Sequence, residues 1–272
     1  MSRNSLPVHE NRSMLELIDS HVHLDDGAFD SDRSAVIERA GCVGVEGMVV
    51  PGVDAESWPR IKALCAQDDR LHPAFGLHPM FLRQHVPADV DALSSWLDQD
   101  NVVAVGEIGL DFHDQDLDAD VQRYFFLRQL RVARERELPV IVHARGALEE
   151  VSLTLRRVGG LRGVVHSFSG SLQQARHLWD IGFHLGIGGP VTYPRAQRLR
   201  SIVAQMPIEF LLLESDAPDQ PGAAHRGERN EPAHVVEVLQ CVAALRGETE
   251  AQVASATSAN ARRLFGLDRR NG

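Results

Sequence analysis

Short β-rich runs recur along the chain at 15–24, 45–53, 71–79, 102–111, 139–145, 163–170, 184–190 and 210–217, and the segments between them carry apolar residues at helical spacing. Phe126, Leu127, Leu130 and Ala133 show that spacing, as do Leu172, Ala175, Leu178 and Trp179. Several runs, among them VEGMVVPGV, VVAVGEIGL and FLLLESDA, are apolar at consecutive positions, which suits strands of a parallel sheet buried on both faces. Strict alternation of strand and helix defines an α/β chain, and eight repeats close into a (β/α)8 TIM barrel. An open doubly wound sheet would show five or six strands and a Gly-rich turn after the first, which is missing here.

The length agrees: 272 residues suit one barrel. Beyond the eighth run, Val235, Val238, Leu239, Val242 and Leu245 place a helix over 232–246, and a second helical stretch runs to about Leu264. No low-complexity linker divides the chain, so residues 15–267 are expected to form the barrel and residues 1–14 an N-terminal extension. No run approaches the roughly 20 apolar residues of a membrane span. The polar start lacks the apolar run of a signal peptide, and Cys42, Cys65 and Cys241 form neither a C-x-x-C pair nor an even set. These features point to a cytoplasmic protein, and a monomer is expected. A formal net charge of −10 weighs against a protein that coats nucleic acid through a basic surface. It leaves room for a metallonuclease, whose cations supply a local positive field.

Catalytic groups of a barrel sit at the C-terminal ends of its strands. The first run, LIDSHVHLD, ends in His21 and His23, two apart and on one side of an extended strand, where two imidazoles can share a cation. Taken alone, the pair reads equally well as two unrelated polar residues. Glu107 follows apolar residues in VVAVGEIGLD, a position that demands either a cation or a buried arginine partner. His143 ends PVIVHAR and His166 stands within GVVHSFSG, and each by itself reads as a hydrogen-bonded core histidine. Glu214 and Asp216 end EFLLLESDAP, where Asp216 alone would be a turn residue before Pro218. Together they place four histidines and a set of carboxylates at one end of one barrel, and the metal reading gains over each separate alternative.

This donor set suffices for two divalent cations, with Glu107 between them. Imidazole and carboxylate without thiolate suit Zn²⁺, Mn²⁺ or Mg²⁺. Cations about 3.5–4 Å apart would steady both the attacking and the leaving oxygen of an in-line displacement. A carboxylated lysine cannot be the bridge, because the only lysine, Lys62, falls in a predicted helix.

The ordered set IDSHVHLD, GLHP, VGEIGLD, PVIVHAR, GVVHSFSG, LGIGG, LLLESDAP and RGERNEP resembles the TatD family of metal-dependent deoxyribonucleases, from about Leu15 to Leu267. The resemblance implies an amidohydrolase-like barrel with divalent-metal phosphodiesterase activity on DNA. Carried over position by position, it implies that His21, His23, Glu107 and Asp216 hold one cation and Glu107, His143 and His166 the second. Asp216 would also orient or deprotonate the attacking water. His78 of GLHP matches a position facing the site and, with Arg145, is assigned to substrate binding; Arg226 and Arg229 are further candidates for phosphate. Glu214 matches a carboxylate that serves an additional cation in some relatives, or else a residue behind the ligands. The Glu-Ser-Asp-Ala order at the eighth strand and His113 after GLD depart from the common pattern without removing a ligand.

The expected reaction is hydrolysis of DNA phosphodiesters, with single-stranded or frayed ends favoured. The alternative is hydrolysis of carboxylic esters, amides or small phosphoesters, aminoacyl esters included, by the same activated water.

Overall fold

The structure is a computed structural model describing residues 15–267; the extension expected over 1–14 lies outside the described residues. Its eight strands are β1 (Leu17–Asp19), β2 (Val45–Pro51), β3 (Leu71–Phe75), β4 (Ala104–Asp111), β5 (Val140–Arg145), β6 (Gly163–Val165), β7 (Phe183–Ile187) and β8 (Leu211–Leu213). Every neighbouring pair is parallel and the spatial order is the chain order. Across the seam, Ser20 N donates to Leu213 O at 3.0 Å, Asp216 N to His21 O at 2.9 Å and His23 N to Ala217 O at 2.8 Å, which closes the ring. The expected (β/α)8 barrel is the observed one.

The helices are α1 (Arg33–Cys42), α2 (Trp58–Cys65), α3 (Pro87–Leu97), α4 (Ala119–Glu135), α5 (Leu148–Val158), α6 (Leu172–Asp180), α7 (Gln197–Gln205), α8 (Val235–Arg246) and α9 (Glu250–Phe265). α4 starts where the Asp118 carboxylate accepts from the N–H groups of Asp120 and Val121. The helix expected from Pro232 opens with a 3-10 turn, Pro232–His234, before α8. Lys62 lies on α2 with its ammonium 5.8 Å from the Trp96 ring. No helix among the described residues is long and apolar enough to cross a membrane.

Ile18, Val49, Ala74, Ala104, Ile141, Val164 and Leu212, drawn from seven strands, pack with Ala261, Leu264 and Phe265 of α9 into one cluster. Side chains from so many strands meet only inside the barrel, so this cluster fills its lower interior and α9 plugs the base. Above it the polar residues follow by strand parity on three strands: Ile141 to His143, Val164 to His166, and Leu212 to Glu214 and Asp216. On two strands parity breaks. β4 shifts register between Val105 and Ile108, and β1 leaves the ladder after Asp19. Those irregularities turn Glu107 and His21 inward at odd offsets from the interior residues Ala104 and Ile18.

Candidate metal centre

The ladders stop short of the runs read from sequence, β1 at Asp19, β6 at Val165 and β8 at Leu213. Most of the candidate ligands therefore stand on the segments just beyond them, which irregular backbone hydrogen bonds such as His166 N to Val142 O and Asp216 N to His21 O hold over the barrel mouth.

Glu107, only 2% exposed, is the centre of the cluster. Its Oε2 lies 3.1 Å from His21 Nε2 and 3.5 Å from His23 Nε2. Those two nitrogens are 3.6 and 3.7 Å from Asp216 Oδ1. On the other side, Glu107 Oε1 lies 2.7 Å from His166 Nε2, 3.2 Å from His143 Nδ1 and 2.9 Å from His78 Nε2. All six predicted ligands are thus gathered, with one carboxylate oxygen facing each predicted set.

The donor atoms suit cations better than protons. His21 Nε2 faces His23 Nε2 at 3.1 Å, and His143 Nδ1 faces His166 Nε2 at 3.4 Å. Each pair presents two ring nitrogens to one another, an arrangement that a shared divalent cation satisfies through both lone pairs. Several buried polar atoms at the site have no hydrogen-bond partner, among them His21 Nδ1, His166 Nδ1 and Glu214 Oε2. The residues fit the group the resemblance implies.

Burial disfavours charge on His166, yet Glu107, Asp216 and Glu214 outweigh it and hold the imidazole up at about 10. Burial also disfavours the Glu107 carboxylate, but His166, His78 and His21 draw it well below its ordinary value. Asp216 is raised by burial, and Glu214 is raised to about 8 for the same reason. His21 is lowered, first by burial and then by His166. Coordination requires His166 to give up its proton, so cation binding and proton release are linked. Below about pH 10 each proton displaced makes affinity rise with pH, by about tenfold per pH unit at most. Titrating metal-free protein between pH 6 and 8 should show that rise, with proton uptake by the buffer; a pH-independent affinity would contradict it.

The structure gives His78 a more specific place than sequence did. Its Nδ1 accepts from Met80 N at 3.1 Å, which puts the ring proton on Nε2, aimed at Glu107. Burial depresses its pKa to about 4, against the pull of Glu107, so the neutral tautomer is the working form. Arg145 is exposed on the wall of a cavity of about 690 Å³ that opens over Glu107 and is lined also by Met80, Phe81 and Phe168. Arg229 is otherwise engaged, donating to both oxygens of Asp32 at 2.8 Å and to Glu231 at 2.8 Å while lying over Phe29. Arg226 remains exposed.

Glu214 is fully buried behind His166, its Oε1 accepting from Ser167 N and lying 3.9 Å from His166 Nδ1. Gly186 makes room for it: a Cβ there would stand 2.1 Å from Glu214 Oε2. That contact explains why LGIGG needs its first glycine.

Three contributors were not singled out from sequence. Asp111 Oδ2 lies 2.9 Å from His143 Nε2, which directs Nδ1 toward Glu107. Asp19, buried, accepts from His21 N at 3.2 Å and Ser215 N at 2.9 Å, tying β1 to the β8 segment that bears Asp216. Gln220 donates to Asp216 Oδ2 and to Ser167 Oγ. Parity offered a signal for Asp111, which shares it with Glu107 on β4. Asp111→Ala should weaken cation binding on the His143 side by about 10- to 100-fold, the range for lost outer partners of a ligand. Unaltered affinity in a direct metal titration would remove Asp111 from the centre.

A parallel barrel with imidazoles and carboxylates gathered at its C-terminal mouth defines a metal-dependent hydrolase. The sequence profile described as TatD related DNase matches residues 18–266, and the chain belongs to the TatD family. It is 39% identical over 253 residues to the Escherichia coli K12 protein described as an uncharacterized metal-dependent hydrolase, YjjV, covering 92% of this chain and 98% of that one. The crystal structure of the E. coli YjjV, a TatD homolog, superposes with a TM-score of 0.90 at 37% identity, covering 93% of this chain and 99% of that chain. The Salmonella typhimurium protein named 3'-5' ssDNA/RNA exonuclease TatD is 35% identical over 258 residues, covering 92% of this chain and 98% of that protein.

Proposed function

We propose that this chain hydrolyses phosphodiester bonds in DNA, favouring single-stranded or frayed ends, and that it works as a cytoplasmic monomer with two divalent cations. The observation that carries the reading is Glu107, whose two oxygens face separate imidazole sets beneath an open cavity. Supporting it is the name of the Salmonella relative. The acidic chain also fits a protein that grips nucleic acid at its site rather than over its surface.

His21, His23, Glu107 and Asp216 would hold one cation, and Glu107, His143 and His166 the other. Bound divalent cations supply Lewis acidity toward a phosphoryl oxygen and ionise water near neutral pH. Asp216 would orient that water and take its proton, and burial raises its carboxyl above the ordinary value, which makes it a stronger base. Gln220 fixes the carboxylate through Oδ2, leaving Oδ1 toward His21 and His23. His78 holds Glu107 from the far side. Arg145, exposed on the cavity wall, takes a phosphate of the substrate.

A panel of single-stranded DNA, duplex DNA, RNA, aminoacyl esters and small phosphoesters, each with Zn²⁺, Mn²⁺ and Mg²⁺, tests the reading. Single-stranded or frayed DNA should be cut best. Turnover of carboxylic esters with none of DNA would replace this reading with an esterase or amidase acting at the same centre.

A further inference from the structure

The buried stripe of α4 contains two primary amides, Gln122 and Gln129, 1% and 0% exposed, among Phe125, Phe126, Leu130 and Ala133. They are seven residues apart, two turns along one face. Burying an amide is costly unless its groups are bonded, and here each amide is spent on the backbone of a single residue. Gln122 Oε1 accepts from Asp111 N at 2.8 Å while its Nε2 donates to Asp111 O at 2.8 Å. Gln129 Oε1 accepts from Leu77 N at 2.7 Å while its Nε2 donates to Leu77 O at 3.1 Å.

Sheet register explains why these two residues need such partners. β3 and β4 pair only at Ala74 with Ala104 and Phe75 with Val105. β4 then continues along β5 as far as Asp111 opposite Arg145. Past Val105 the β3–β4 ladder ends, with Glu107 N turning to Gly52 O at 2.9 Å, and Leu77 lies past the end of β3. The glutamines replace the missing ladder. Both clamped residues adjoin the metal centre: Leu77 precedes His78, which holds Glu107 Oε1, and the Asp111 carboxylate holds His143 Nε2.

We propose that Gln122 and Gln129 are positioning residues of the metal centre: helix α4 fixes the ends of β3 and β4, and through them the placement of His78 and His143 against Glu107. The inference rests on the ligand assignment made above. It differs from a purely structural role, in which the glutamines satisfy backbone groups and affect stability alone.

Gln122→Met and Gln129→Met keep the length of the side chain and remove both hydrogen bonds. Leu130→Val, on the same buried stripe, serves as a control that lowers stability by packing loss without touching either clamp. Each metal-free protein is titrated with Co²⁺, following stoichiometry, affinity and the visible absorption of the bound ion, alongside thermal unfolding. Gln122→Met should weaken the His143-side step by roughly tenfold and shift its absorption, as loss of outer support to a ligand does. Gln129→Met should change the Co²⁺ spectrum through His78 and Glu107, and Leu130→Val should change neither. The two glutamine variants test the idea independently, so one suffices if the other does not fold. Lower melting temperatures with Co²⁺ affinity and spectrum matching the Leu130→Val control would overturn the positioning role. His143→Ala separates the two levels: weakened uptake there with unaltered glutamine variants overturns the positioning alone. Unaltered uptake in His143→Ala overturns the ligand assignment and the positioning with it.

Discussion

Asp216→Asn should fold normally and lose roughly 10²-fold or more of its turnover, the usual scale for a positioned acid–base group. Folding is expected to survive because Asp216 has φ +55°, a left-handed conformation that asparagine adopts as readily as aspartate. The amide also keeps a carbonyl oxygen, which can rotate to accept from Gln220. What it loses is specific. It cannot take a proton from water, and it removes a negative charge facing His21 and His23. Rates measured at saturating metal separate lost base catalysis from weaker cation binding. Near-native turnover under those conditions, on every substrate of the panel, would show that the proposed role of Asp216 is wrong.

Glu107→Gln should have the larger effect on metal content, because in the proposed centre one residue serves both sets. A glutamine offers a single oxygen, so it cannot face both imidazole groups as an acceptor, and its NH2 must point at one of them. It also removes the charge around which His21, His78, His143 and His166 are arranged. Losing an outer partner of a ligand costs about 10- to 100-fold in affinity, and loss of the shared ligand should exceed that at both sites. Elemental analysis of the purified variant is expected to show little bound metal, with activity falling in parallel. Full occupancy at either site would mean that Glu107 does not bridge.

The legibility of this chain from sequence was uneven for physical reasons. Apolar runs and helical stripes are local patterns, so eight strands and their helices could be read directly, and histidines at the ends of such runs stand out because burial of a lone imidazole is costly. The ends of strands were read too long. Segments 20–23 and 214–216 leave the ladders and turn over the barrel mouth, with Asp216 in the left-handed region, a consequence of closure that no local pattern encodes. The inward turn of Glu107 likewise depends on the register shift in β4. The supports were hardest to see. Gln129 and Leu77 are 52 residues apart, and Asp111 and His143 are 32 apart. A glutamine within an apolar stripe signals a buried hydrogen bond without saying to what.

The proposed two-cation centre around Glu107 is tested most directly by anomalous diffraction from crystals of the Zn²⁺- or Mn²⁺-loaded protein, recorded at the absorption edge of the metal. The proposal predicts two peaks flanking Glu107, one near His21 Nε2, His23 Nε2 and Asp216, the other near His143 Nδ1 and His166 Nε2. Density for a single ion on either side alone, or ions bound away from Glu107 in fully loaded crystals, would contradict it.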